Sequence, residues 1–337
     1  ILMEQQKLVI DYERPKLHRR VLAVIIDLVV FIFVFFAIFI SVRAIIGNTT
    51  RYSNAMDNVK TVRLNSGVYY ENDSGFLYDV VTLYKNDEDL SDSQKQTYYV
   101  NAIDSFIEYV NTEIDEETSS EVLNNYYTYL LAENLTYDGV SYFIEGGDGI
   151  PVENPECTAS IADYNDNVYT KYIDYNIQPY LNSLFEQYNK DVKYLFTILF
   201  YYELPISAII GGILVFYIPG LFFKRGRQTL GRALYRIGLV DSKYLAVKVG
   251  RYTANWSISF LLIFVLSFLT LGIPLIISFS LMAFSKKKQT FSEYMLGIQE
   301  VSLEKQKIYY SRGEIRAESI PTNKQPVDFS SEGKVHL

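Results

Sequence analysis

Cysteine, tryptophan and histidine are nearly missing from this chain, and each scarcity closes off a kind of chemistry. The one cysteine, Cys157, permits no intrachain disulfide and is read as a buried apolar side chain. The two histidines are His18 and His336, so residues 48–193 have neither the usual zinc ligand nor the usual triad base. No nucleophile–base pair, metal cluster or phosphate-binding loop is recognisable, so neither enzyme activity nor a cofactor is expected. Asp163, Asn165, Asn167 and Asp174 copy part of a calcium loop, but Val168 replaces the needed glycine and Lys171 occupies a ligand position. The sequons at Asn48, Asn72 and Asn134 matter only in a glycosylating compartment.

What the chain has is apolar length and a divided charge. From Val21 to Ile46, only Asp27, Ser41 and Arg43 break an apolar run of 26 residues. At ~1.5 Å per residue that run crosses a ~30 Å hydrocarbon core with some tilt. It is longer than a signal h-region and no A-x-A site follows, so an uncleaved anchor is expected. The net charge of −8 conceals 26 acids against 8 Lys and Arg in residues 51–193, with the remainder strongly basic. Basic segments stay on the cytoplasmic side, which places 48–193 outside and the basic run ending at Arg19 and Arg20 inside. Ordinary positive-inside bias also explains the basic residues of 224–251, so nucleic acid is not expected as a partner.

These features predict an all-α multi-pass membrane protein with three to four membrane segments, near 21–46, 204–223, 252–270 and 272–285. The last two form either a tight hairpin turning at Gly272 and Pro274 or one kinked span. Helical spacing in 75–85, 92–111 and 119–133 predicts a mostly helical outer domain over 48–193. In 92–111, Asp92 is the expected N-cap and Tyr99, Ile103, Phe106 and Val110 the buried face. Residues 139–145 read as a short strand. On the cytoplasmic side, 229–238 reads as an interfacial amphipathic helix, with Leu230, Leu234 and Ile237 opposite Arg232 and Arg236. Residues 291–301 read as a short apolar patch and 302–337 as a loose cytoplasmic tail.

Three separated stretches resemble the RDD family. Arg20-Val-Leu-Ala23-Val-Ile-Ile-Asp27 is similar to its opening R-x-x-A-x-x-I-D. Gln228-Thr229-Leu230-Gly231-Arg232 is similar to its cytoplasmic Q-T-L-G-K/R segment. Leu271-Gly272-Ile-Pro and the run from Phe284 to Thr290 resemble its last hairpin and the approach to its closing H-D-x-x-x-G-T. The resemblance covers about 1–47 and 195–301 and implies a small multi-span core, assigned to 1–47 and 194–301, in which Arg20, Asp27 and Glu293 are the motif positions. Thr229, Gly231 and Arg232 form its cytoplasmic motif. The closing motif departs from the pattern, with Glu293 for the second aspartate, Ser292 for histidine and Ile298 for threonine. Arg227 stands where the family often has glycine.

Two functions are compatible with this pattern. One is an accessory or sensor protein whose outer domain binds a ligand or an envelope partner. The other is transport of a small solute or ion, of the sodium/proton exchange type the family suggests, built by a homo-oligomer. The polar motif residues serve either as an inter-helix lock or as part of an ion path; Arg20 or Arg251 is the expected partner of Asp27.

Overall fold

A computed structural model describes residues 12–285 and 288–319. The start of the basic run that ends at Arg19 and Arg20, residues 286 and 287 of the run from Phe284 to Thr290, and the tail beyond 319 fall outside the described residues. The chain separates into two units, one of Ile1–Val42 with Leu204–Leu337, the other of Arg43–Glu203.

The second unit is mostly helical, with three short antiparallel hairpins among its described residues. It runs α2 (Thr50–Asn65), β1 (Tyr69–Glu71), β2 (Leu77–Asp79), α3 (Val80–Tyr84), α4 (Asp92–Glu113) and α5 (Glu116–Leu130). Then come β3 (Thr136–Tyr137), β4 (Val140–Ser141), β5 (Phe143–Glu145), β6 (Pro151–Glu153) and a long helix α6 over 161–184. In α4, Tyr99, Ile103, Phe106 and Val110 are all buried, as their spacing predicts. The cap is Ser91 rather than Asp92: its hydroxyl accepts from the Gln94 amide, and Gln94 reaches back to the Ser91 amide. The helical spacing of 75–85 is overridden at its start. Asn72 accepts from the Ser74 and Phe76 amides and Gly75 takes a φ of +81°, which turns the chain into the β1–β2 hairpin. Helix begins only where the Asp79 carboxylate accepts from the Thr82 amide.

Tyrosine fills this unit's core. Tyr99, Tyr142 and Tyr172 are among its largest fully buried side chains, packed with Ile103, Phe106, Ile173, Ile177 and Leu181. Their rings supply apolar area while hydroxyls such as those of Tyr129 and Tyr164 donate to backbone carbonyls at 3.0 and 3.1 Å.

The first unit is built on long helices. α1 (Leu17–Gly47) buries only Arg20, Ala23, Asp27 and Phe31, one stripe at spacings of three and four. α7 spans Glu186–Phe222. α8 (Leu230–Leu234) is followed by β7 (Ile237–Val240), then by a helix α9 over 249–269 and by α10 (Ile273–Phe284). Leu271 and Gly272 adopt φ of +51° and +86°, and the Leu275 amide donates back to Ser267 Oγ at 3.1 Å. Residues 252–285 are therefore a helical hairpin and not one kinked span. α11 (Phe291–Leu296), β8 (Gln299–Ser302) and α12 (Arg312–Ser319) complete the described chain.

Two local expectations need correction here. The helix in 229–238 stops at Leu234, because Arg236 turns to a φ of +53° and Ile237-Gly-Leu-Val240 becomes a fully buried strand. It pairs antiparallel with β8, Ile237 opposite Ser302 and Val240 opposite Gln299. So 291–301 is half of a folded element, and the first part of the supposed loose tail is folded as well. Ile308 joins Tyr12, Val240, Ala246 and Val301 in a small core, and Ile315 on α12 is buried.

Candidate functional site

The buried stripe of α1 carries two polar groups, and they meet different partners. The Asp27 carboxylate accepts from Thr229 Oγ1 at 2.5 Å and from the Gly231 amide at 2.7 Å. Thr229 is the N-cap of α8, so the acid is held by the cap hydroxyl and by one orphan backbone N–H of the first turn. Gly231 permits the approach. A Cβ there would lie 2.1 Å from the Ala23 carbonyl oxygen and 3.0 Å from Asp27 Cγ. Two turns away, Arg20 pairs through Nε with Glu300 and through Nη2 with Glu293 at 3.6 Å, and donates to the Lys288 carbonyl at 2.6 Å. Arg232 approaches the same two acids, Glu300 at 2.8 Å and Glu293 at 3.5 Å.

The result is a ring of two guanidiniums and two carboxylates with side-chain exposures of 5, 19, 1 and 8% for Arg20, Arg232, Glu293 and Glu300. Burial, helped by the neighbouring Glu300 charge, pushes the Glu293 carboxyl up to about 7 against the pull of Arg232 and Arg20. Burial also opposes the Glu300 charge, yet Arg232 and Arg20 outweigh it and hold that carboxyl below its ordinary value. Glu300 and Glu293 in turn overcome burial to hold Arg232 above its usual range. Glu293 is also the N3 residue of α11, where Oε2 accepts from the Thr290 amide at 2.9 Å. Ser292, which replaces histidine, is 2.7 Å from Ser259 Oγ, and Ile298, which replaces threonine, is fully buried.

Of the residues singled out in the sequence, Arg20, Glu293 and Arg232 come together, and Asp27 joins Thr229 and Gly231 instead. Asp27 is paired with Thr229 and Gly231 and not with Arg20, and Arg251 lies 3.8 Å from Asp241 rather than against Asp27. Sequence reasoning missed Glu300. Its only signal was a second acid in the otherwise apolar run 291–301, and nothing local tells that β7 and β8 pair. Arg227 was noted only as a departure from the pattern. Its φ is +46°, the region that favours glycine, and its guanidinium donates to the carbonyls of Gly220 and Val247 at 3.1 Å each, closing the end of α7.

The cavity beside the ring, lined by Arg14, Pro15, Arg20, Lys288, Gln289, Gln299 and Glu300, measures about 20 Å³. That is room for one water. Among the described residues no cluster of His, Cys, Asp and Glu could hold a metal ion.

A helix that buries one arginine, one alanine, one aspartate and one phenyl ring while exposing Phe33 at 72%, Ile40 and Ile45 is not the core helix of a soluble protein. The fold and site define an α-helical membrane protein with a polar knot closing one set of helices. Residues 179–297 match the model of the RDD family, and this chain carries an RDD domain. The matched range leaves out α1, yet Arg20, Ala23 and Asp27 of α1 are seated on Gly231, Arg232 and Glu293 within it. No curated protein and no solved structure matches the chain.

Proposed function

We propose that this protein is a multi-pass protein of the cell membrane, anchored by an RDD domain that the buried ion ring locks shut. Its residues 48–193 work outside as an accessory or sensor domain that binds a ligand or an envelope partner. The closed ring carries the reading. Each of its four charges faces an opposite charge, and the adjoining space of about 20 Å³ admits a water and no solute. Breaking such a buried pair costs ~3–5 kcal/mol, which suits a lock between elements better than a site that opens in every cycle. The orientation rests on the run of exposed aromatics on α7 (Phe196, Phe200, Tyr201, Tyr202), which has the make-up of an interfacial belt. Some twenty residues further on come Lys224, Arg225 and Arg227, the basic flank of a cytoplasmic end.

Single cysteines at Ser120 and Ser311, in a Cys157→Ser background, test the topology. Both positions are exposed. An impermeant maleimide added to intact cells is expected to label Ser120→Cys at once and Ser311→Cys only after permeabilisation. Labelling of Ser311→Cys in intact cells overturns the proposal. A transport reading would draw on the hydroxyl run Ser259, Ser292 and Thr290, which ends beside Glu293, whose carboxylate accepts from the Thr290 backbone amide.

A further inference from the structure

The second unit holds a groove of about 540 Å³, within the ~300–1,000 Å³ of small-molecule sites. Its floor and walls are apolar: Met56 and Val59 from α2, Leu77 from β2, and Leu195, Phe196 and Leu199 from α7. The β1–β2 turn stands over it, fixed by the Asn72 side chain, and presents an exposed Phe76 at its tip. Arg43, Lys60 and Arg63 also line it, three of the few cations in a unit dominated by acids. Arg63 is spoken for by Tyr188 Oη at 3.2 Å and the Tyr69 ring. Lys60, half-exposed, pairs with Glu71 at 2.5 Å, and Arg43, exposed at the end of α1, lies against the Tyr52 hydroxyl. The acids on the lining are Asp57, 3.4 Å from Ser53 Oγ, and the buried Glu203.

We propose that this groove binds a membrane lipid with an anionic headgroup, an acyl chain lying along Met56, Leu195 and Leu199 and the phosphate on Arg43 and Lys60. The proposal rests on the outward placement of this unit and gives it a ligand class. Its occupant follows from two independent observations. The apolar lining is continuous with the exposed aromatic face of α7, the interfacial stretch of that helix, so acyl chains are at hand where the groove opens. The lining carries three cations against two acids, and its exposed Arg43 and half-exposed Lys60 can turn to a phosphate, a balance that favours an anionic headgroup over a cationic one.

The test uses the full-length protein in nanodiscs carrying phosphatidylglycerol with a diazirine in the acyl chain, or phosphatidylcholine with the same tail. After irradiation, labelled peptides are mapped by mass spectrometry. Labelling is expected on peptides containing Met56 and Leu195–Leu199, stronger from phosphatidylglycerol. Arg43→Gln should reduce it about fivefold, the equivalent of ~1 kcal/mol for one basic residue at a membrane surface. Met56→Trp, which fills the groove with an apolar side chain, should abolish it at unchanged helix content. Equal labelling from the two lipids, or labelling indifferent to Met56→Trp, overturns the proposal. The α1 peptide covering 24–40 is the internal control. If it is labelled and the groove is not, the lipid site is wrong while the spanning assignment stands. If it too is unlabelled, the spanning assignment itself fails.

Discussion

Replacing Gly231 by alanine puts the smallest possible change at the point where α1 and α8 touch. The added Cβ would meet the Ala23 carbonyl oxygen at 2.1 Å and carbonyl carbon at 2.9 Å, and these are backbone atoms that cannot rotate away. Overpacking by itself costs ~1–3 kcal/mol. Here relief requires α8 to withdraw by about an ångström, since Cβ contacts under 3.0 Å are not sustained. That withdrawal breaks the hydrogen bonds of 2.5 and 2.7 Å from Thr229 and Gly231 to Asp27 and strands a buried carboxylate. Hydrogen bonds to a charged group contribute ~1.5–3 kcal/mol each, so the full loss reaches roughly 3–6 kcal/mol, a large share of a typical ~5–15 kcal/mol domain stability. Gly231→Ala should therefore give low membrane abundance and a strongly lowered melting transition in detergent. Gly250→Ala, where an added Cβ meets nothing within 4 Å, should be neutral or slightly stabilising. Because the obstacle is the Ala23 carbonyl and not its methyl, Ala23→Gly should fail to rescue Gly231→Ala. A Gly231→Ala protein with wild-type melting, or rescue by Ala23→Gly, would refute the reasoning.

The two acids of the ring should respond differently to neutralisation. Glu300→Gln leaves Arg20 and Arg232 with one raised-pKa partner and should cost ~3–5 kcal/mol, whereas Glu293→Gln should cost less, as measured by denaturation in detergent. Glu293 also sets a pH dependence. Folding raises its carboxyl from 4.5 to about 7, so its contribution to stability is complete below about 4.5 and is lost as pH rises through about 7; Glu300, held low, works in the opposite sense on acidification. Melting temperatures between pH 5 and 8 should thus fall less with rising pH in Glu293→Gln than in wild type, and an identical slope would count against the assignment. Asp27→Asn keeps one acceptor for Thr229 or Gly231, so a lock predicts a protein that inserts and retains function, while Asp27→Leu lowers abundance. Sodium-driven proton movement in everted vesicles that is present in wild type and vanishes in well-inserted Asp27→Asn would instead make the acid part of an ion path.

The sequence by itself determined the features that depend on local period and on solvent. The α1 run, the charge division, and the α4 face of Tyr99, Ile103, Phe106 and Val110 are each legible because a 3.6-residue repeat or a long apolar run has one low-energy environment. Motif residues were legible as residues: Arg20, Asp27, Thr229, Gly231, Arg232 and Glu293 all lie in the polar knot. Who pairs with whom was decided only by the fold. Arg20 and Asp27 lie on one stripe of α1, but a shared stripe does not fix a shared partner, because α1 passes α8 at Asp27 and the β8–α11 region at Arg20. Glu300 entered through the β7–β8 pairing, a contact between residues some sixty positions apart that carries no local signal. The strand character of Ile237–Val240 was hidden for the same reason: a short apolar run fits helix or strand, and a buried partner strand chose. Local physics set the elements here, and long-range pairing of buried charge and backbone set the site.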